Sequence, residues 1–348
     1  MSTTFAYKEK SFLSTPKITF GGVTVFEWQF VILGGMIFFL PLIMLLSEPT
    51  LAGSNPIAWY FWMNAIISMP HVNAAYVRLQ RKVSEGKVNA FYGVPLYLIF
   101  VALLGVAACF GRYLEFMTAV NVWQSFHYVR QVYGVSRVYS HENRETTLSR
   151  RLTYFAYHLA MPLFVLGRWN VLFNVWKGRP SDVIIPVHMP DALMTCCFAL
   201  AFVGIVLGLL AELLKFRQNL AYNPVGLITL LAYYAIHWFG FLSASYYFRG
   251  FFAVTIYHAV QYLGLVWLKE KQQRENPAAY LCLWDRMPVV IPFLAFWLLI
   301  VLIGSTFTES VIPTLNIYWL QWSAVLLGAQ SAHHYAIDTF LWRAKVGK

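Results

Sequence analysis

Ten apolar stretches, each long enough to cross a bilayer as an α-helix, follow one another along the chain: 26–47, 56–80, 91–112, 114–139, 150–168, 191–214, 223–243, 250–269, 287–307 and 314–342. A spanning helix needs about 20 mostly apolar residues, and in lipid only helices and closed barrels satisfy their own backbone polar groups. Charged residues make up only 12 % of the sequence, whereas soluble domains carry about 25 %. That leaves too little charge to keep a water-facing surface dispersed. A soluble enzyme, a disordered chain and a nucleic-acid module are excluded on the same ground. The expected fold class is all-α, a polytopic integral membrane bundle of ten helices. Residues 1–25 read as a retained cytosolic N-terminal arm, 26–342 as the transmembrane domain and 343–348 as a cytosolic tail.

The net charge of +11 concentrates in the segments between apolar runs. With the N-terminus in the cytosol, 21 of the 26 Lys and Arg residues fall on the cytosolic side; the other five are Arg112, Arg168, Lys177, Arg179 and Arg249. Positive residues are retained on the inside, so both termini are expected there, with an even number of spans in a cell (inner) membrane. The excess charge is thus topogenic and calls for no nucleic acid. Cys109, Cys196, Cys197 and Cys282 form no CxxC pair and read as small apolar residues rather than a metal or disulfide framework. The segment 169–190, with Trp169, Trp176 and three prolines, reads as a loop anchored at the membrane interface.

Seven of the nine histidines lie within the apolar runs. Ionisable side chains at such depth are costly and mark function. Four of them sit on runs of the same direction: His71, His127, His258 and His334 precede basic flanking residues Arg78, Arg137, Lys269 and Arg343 by seven to eleven residues. At 1.5 Å per residue they fall in one slab, roughly 10–16 Å from the cytosolic flank. Each has polar neighbours on its own helical face: Asn64 and Arg78 for His71, Gln124 and Gln131 for His127, Gln261 and Tyr262 for His258, Gln330 and Asp338 for His334. Polar faces avoid lipid, so the four stripes are expected to turn inward and meet.

Converging neutral imidazoles suit iron, copper or zinc. A metal-bound histidine donates its other N–H to a carboxylate, a carbonyl or an amide oxygen, a task for which Asp338, Gln131 and Gln261 are spaced; Asp338 is expected to serve His334. His333 points about 100° from His334, and it and His158, on the fifth run, complete the candidate ligands. Asp338, Gln131 and Gln261 are the candidate catalytic residues. A metal buried in a bilayer serves a substrate that lives there, such as a fatty acyl chain, a quinone or an isoprenoid.

The HxxxH and HxxHH boxes of membrane desaturases and alkane hydroxylases do not occur. Pro70-His71, Phe126-His127-Tyr128, Tyr257-His258 and His334 followed by Asp338 do occur, in that order. This series resembles the bacteriorhodopsin-related carotene-cleaving dioxygenases, bacterial membrane proteins proposed to hold iron on helix-borne histidines. The resemblance covers four short segments. It implies a non-haem iron held by histidines in a helical bundle, and an oxidoreductase of dioxygenase type acting on a lipophilic substrate. No glycine-rich nucleotide-binding motif is present, so a reductant would come from a separate electron donor. Two alternatives stay open on the same residues: a membrane cytochrome with bis-histidine haem b, and a proton-coupled transporter.

Overall fold

The computed structural model describes residues 19–20, 23–24, 27–36, 69–140, 145–174, 188–218, 222–238, 247–273 and 313–341. The fold is all-α. Nine α-helices are described: α1 (Met69–Ser84), α2 (Val94–Cys109), α3 (Tyr113–Ser140), α4 (Thr147–Gly167), α5 (Trp169–Asn174), α6 (Asp191–Gln218), α7 (Val225–His237), α8 (Tyr247–Gln273) and α9 (Pro313–Leu341). A two-residue antiparallel pair, Thr19–Phe20 with Val23–Thr24, precedes a π-helical segment, Glu27–Ile32. Seven predicted runs coincide with α2, α3, α4, α6, α7, α8 and α9, and α1 covers the end of the second. The run at 287–307, the end of the first run (37–47) and the start of the second (56–68) lie outside the described residues.

The first run departs from expectation. A continuous helix over 26–47 is replaced by a break: the helical segment ends at Ile32, and Gly34 and Gly35 both take positive φ (54° and 68°). Only glycine enters this region without strain, and at Gly34 a side chain would collide with the Tyr257 ring on α8. The break leaves backbone carbonyls without helical partners. Gln261 donates to the carbonyl of Val31 at 2.8 Å and the Tyr257 hydroxyl to that of Ile32 at 3.3 Å. Two side chains of α8 thus complete the backbone of the first segment.

α4 and α6 pack antiparallel through small residues. A Cβ placed on Gly208 would come within 2.8 Å of the Ala156 Cβ, on Gly204 within 3.0 Å of the Ala160 Cβ, and on Gly167 within 3.0 Å of the Phe198 Cβ. Removing side chains along this stripe lets the backbones approach, as in helix pairs inside membranes. The outward face of α6 is the reverse of a soluble helix: Leu200, Val203, Val206, Leu210, Leu213 and Phe216 are exposed. α2 behaves likewise through Val94, Leu98, Leu103 and Val106. By length and composition α6 is apolar enough to cross a membrane, with a mean hydropathy of 2.6; among the described residues Val94–Cys109, Val225–His237 and Ala253–Val266 are shorter apolar helical stretches.

Helix ends expected on the cytosolic side meet in a buried ion cluster. Glu145, just before α4, pairs with Arg137 of α3, with Arg150 at 3.6 Å and with Lys215 of α6 at 3.1 Å. Lys215 also pairs with Glu212 at 2.6 Å, and Tyr222 donates to the other oxygen of Glu212 at 2.7 Å. Burial pushes the Lys215 ammonium below its ordinary range, and the Glu212 carboxylate opposes that shift. Across the fold, α1, α3, α8 and α9 surround one central point, and α4, α6 and α7 pack outside α3 and α8.

Two glycines give opposite expectations. Gly208→Val is expected to cost about 1–3 kcal/mol, the usual penalty of overpacking, and to lower the thermal unfolding midpoint in detergent. Gly134→Ala, on α3, meets nothing within 4 Å and is expected to leave the midpoint unchanged or raise it, because alanine is the better helix former by about 1 kcal/mol.

Candidate metal centre

The central point is occupied by imidazoles. His71 of α1, His127 of α3, His258 of α8 and His334 of α9 are 4 %, 6 %, 1 % and 1 % exposed. One ligand nitrogen from each lies within 4.8 Å of all the others. The Nε2 atoms approach as His127–His258 at 3.1 Å, His258–His71 at 3.1 Å and His71–His334 at 3.0 Å. The four helices that the sequence singled out therefore bring their rings together at one depth, as their spacing required.

Hydrogen bonding alone does not account for these contacts. Each ring nitrogen has a single in-plane site, either a proton or a lone pair. His258 Nε2 is close to two other Nε2 atoms, and so is His71 Nε2. Neither can form two linear hydrogen bonds with one site. A single cation between them would accept a lone pair from every ring at once.

The shape of the cluster is that of a square. Ring centroids are 4.7 Å apart for His71–His258, 4.7 Å for His258–His127, 4.9 Å for His127–His334 and 4.5 Å for His334–His71. Across the diagonal, His71–His127 is 6.3 Å. A tetrahedron would make these separations equal; a square makes its diagonal about 1.4 times its edge. With metal–nitrogen bonds of about 2.1 Å, neighbouring nitrogens stand about 3.0 Å apart in a square-planar or octahedral set and about 3.4 Å apart in a tetrahedral one. Three of the four neighbouring Nε2 pairs, at 3.0–3.1 Å, match the first.

The residues expected to orient the rings take other roles. Asp338 does not serve His334, whose Nδ1 has no hydrogen-bond partner among the described residues. Instead Asp338 Oδ2 lies 3.8 Å from His127 Nδ1, and its Oδ1 accepts from the Tyr262 hydroxyl at 3.0 Å. The i, i+4 spacing put Asp338 on the face of His334, but the neighbouring helix presented a nearer imidazole. Gln131 donates to the backbone carbonyl of His258 at 2.8 Å and contacts Gln261 at 3.4 Å, so it braces α8 against α3 rather than the ring. Gln261 caps Val31, as described above. His258 Nδ1 is buried without a hydrogen-bond partner among the described residues.

The remaining candidates lie off the centre. His333 uses both nitrogens elsewhere: Nε2 lies 2.8 Å from the carbonyl of Tyr92, and Nδ1 lies 3.1 Å from the Tyr76 hydroxyl. The carbonyl requires Nε2 to carry the proton, and Nδ1 faces the Tyr76 hydroxyl rather than the centre. His158, on α4, bonds its own helix at the carbonyl of Tyr154 and stacks on the Tyr154 ring at 3.9 Å. His237 likewise meets the carbonyl of Tyr233 at 2.8 Å.

Aromatic rings wall the centre. Tyr262 meets the His71 ring edge-on at 4.7 Å, Tyr335 lies 4.8 Å from His127, and Tyr128 lies 4.3 Å from His258. Tyr262 was legible as a face-mate of His258 at i+4, whereas Tyr335, adjacent to His334 in sequence, carries no periodic signal toward His127.

No protein-family model, no curated protein and no solved structure matches the chain.

Replacing His71, His127, His258 or His334 by alanine is expected to abolish stoichiometric transition-metal retention, whereas His333→Ala and His158→Ala retain it; elemental analysis of the purified variants makes the comparison. Asp338→Asn is expected to weaken metal affinity about 10–100-fold, the usual cost of losing an outer partner of a ligand, measured by competition with a chelator.

Proposed function

We propose that this chain is a multi-pass membrane oxidoreductase whose four-histidine centre holds a non-haem iron and acts on a lipophilic substrate. The observation that carries the proposal is the convergence of four buried imidazoles whose ligand nitrogens all lie within 4.8 Å of one another, three Nε2 pairs of them at 3.0–3.1 Å. Neutral imidazole suits iron among first-row metals, and His71, His127, His258 and His334 would hold the ion. When bound, iron(II) supplies one-electron chemistry with dioxygen. The chain's own part is to hold the ligands, exclude water with the Tyr128, Tyr262 and Tyr335 rings, and offset positive charge with the buried Asp338 carboxylate.

A bilayer location is supported by the inverted surface of α6 and α2, with small residues inward and large aliphatics outward on α6. The distribution of basic residues supports ten spans with both termini in the cytosol. Substrate would then arrive laterally from the lipid, and electrons would come from a separate donor.

The bis-histidine haem alternative fits the centre poorly. A porphyrin between two axial imidazoles would need the plane that the other two rings fill. A transporter reading loses support at the break in the first run, since the carbonyls of Val31 and Ile32 accept from α8 and are not turned toward a cation.

Purified protein is expected to contain one iron per chain, to show no Soret band and to lose oxygen-dependent turnover on chelation. A Soret band, or a metal-free protein insensitive to chelators, would overturn the assignment. For topology, an alkaline phosphatase fusion after residue 180 is expected to be active in bacterial cells and one after residue 85 inactive; the reverse pattern refutes the orientation.

A further inference from the structure

The two sides of the histidine square differ in chemistry. One turn further along the helices, after the histidines, lie Tyr262, four residues past His258, and Asp338, four past His334: a phenol on a carboxylate. On the opposite side, one turn before the histidines, lie Gln124, three residues before His127, and Thr255, three before His258. These two meet at the Tyr128 hydroxyl. Gln124 Nε2 donates to it at 2.5 Å, and Thr255 Oγ1 lies 2.9 Å from it. The Tyr128 ring rests on His258 at 4.3 Å, so the cluster stands directly against a candidate ligand.

The three side chains are uncharged. Tyr128 is buried, whereas Gln124 and Thr255 are partly exposed. The two hydroxyls of Tyr128 and Thr255 share one hydrogen bond, which uses one proton of the pair. The Gln124 carboxamide oxygen has no hydrogen bond among the described residues. In a hydrocarbon surrounding, an acceptor left at a partly exposed position is costly. A ligand hydroxyl would satisfy it by donating its proton, with the Tyr128 and Thr255 hydroxyls beside it.

Resting on the proposed function, we infer that Gln124, Tyr128 and Thr255 form the polar recognition site for the substrate, and that the substrate is a long apolar molecule bearing an alcohol, which is held beside the metal centre. A carboxylate finds no cation in this cluster and is not the fitting headgroup. The site binds the oxygen function without needing the metal, because none of its three side chains is a ligand.

Equilibrium binding of tritiated 1-hexadecanol to the purified full chain in detergent tests this, with hexadecane and hexadecanoate as competitors. The alcohol is expected to bind about tenfold or more tightly than the hydrocarbon, the worth of one good hydrogen bond in a buried setting. Thr255→Val and Tyr128→Phe, which keep shape and ring, are each expected to remove most of that difference while leaving hexadecane affinity unchanged. Equal affinity of the wild-type chain for alcohol and hydrocarbon overturns the inference, and this comparison requires no variant to fold. Displacement by hexadecanoate in preference to the alcohol overturns it too. Failure of the iron assignment is read separately, from the metal content of the same samples; a metal-free chain that still separates alcohol from hydrocarbon sinks the iron and keeps the recognition site.

Discussion

An imidazole nitrogen has one site in its ring plane, and four such nitrogens are crowded here within 4.8 Å of one another. Two of them touch two neighbours each, which one proton or one lone pair cannot satisfy. A shared cation removes the conflict. The disposition of α1, α3, α8 and α9 follows from that convergence, since each helix must present its histidine at the same level and toward the same axis. The remaining helices supply a wall rather than a ligand.

The surrounding architecture holds the convergence in place by two kinds of contact. Between α4 and α6, small residues let the backbones close up, so that the contact is made by close van der Waals packing. Near the centre, polar side chains complete broken backbone: Gln261 and Tyr257 meet the carbonyls exposed where the first helical segment stops at Gly34 and Gly35. At the far end, Glu145 gathers Arg137, Arg150 and Lys215 from three helices into one ion cluster. Removing a single partner from such a cluster strands buried charge, so it fixes the relative placement of those helix ends more than it adds stability.

Much of this was legible from residue spacing. The all-helical class and the bounds of seven runs follow from apolar length, and the four convergent histidines follow from equal depth and polar face-mates. The roles around them did not follow. Asp338 shares a helical face with His334, yet its carboxylate approaches His127 of α3 and accepts from Tyr262 of α8. Gln131 and Gln261 share faces with His127 and His258, yet both bond backbone carbonyls. His333 sits beside His334 in sequence but turns toward Tyr76 and the carbonyl of Tyr92. Periodicity reports which way a side chain leaves its own helix and is silent on which neighbour stands nearest. Within its described part the first run departs for a different reason: Gly34 and Gly35 sit in a mostly apolar stretch, and only the steric meeting of Gly34 with Tyr257 shows that no side chain fits there.

The sequence by itself determined that the chain is helical, that its polar residues are rationed to a few inward stripes, and that histidines of four helices share a level. Those properties depend on local rise and rotation, which 1.5 Å and 100° per residue set in advance. The tertiary structure alone decided that the rings form a square rather than a tetrahedron, that His333 and His158 stay outside it, and that a phenol–carboxylate pair lies on one side and a neutral hydroxyl–amide cluster on the other. These are relations between helices, fixed by how closely their backbones approach and at what angle, and no single helix carries that information.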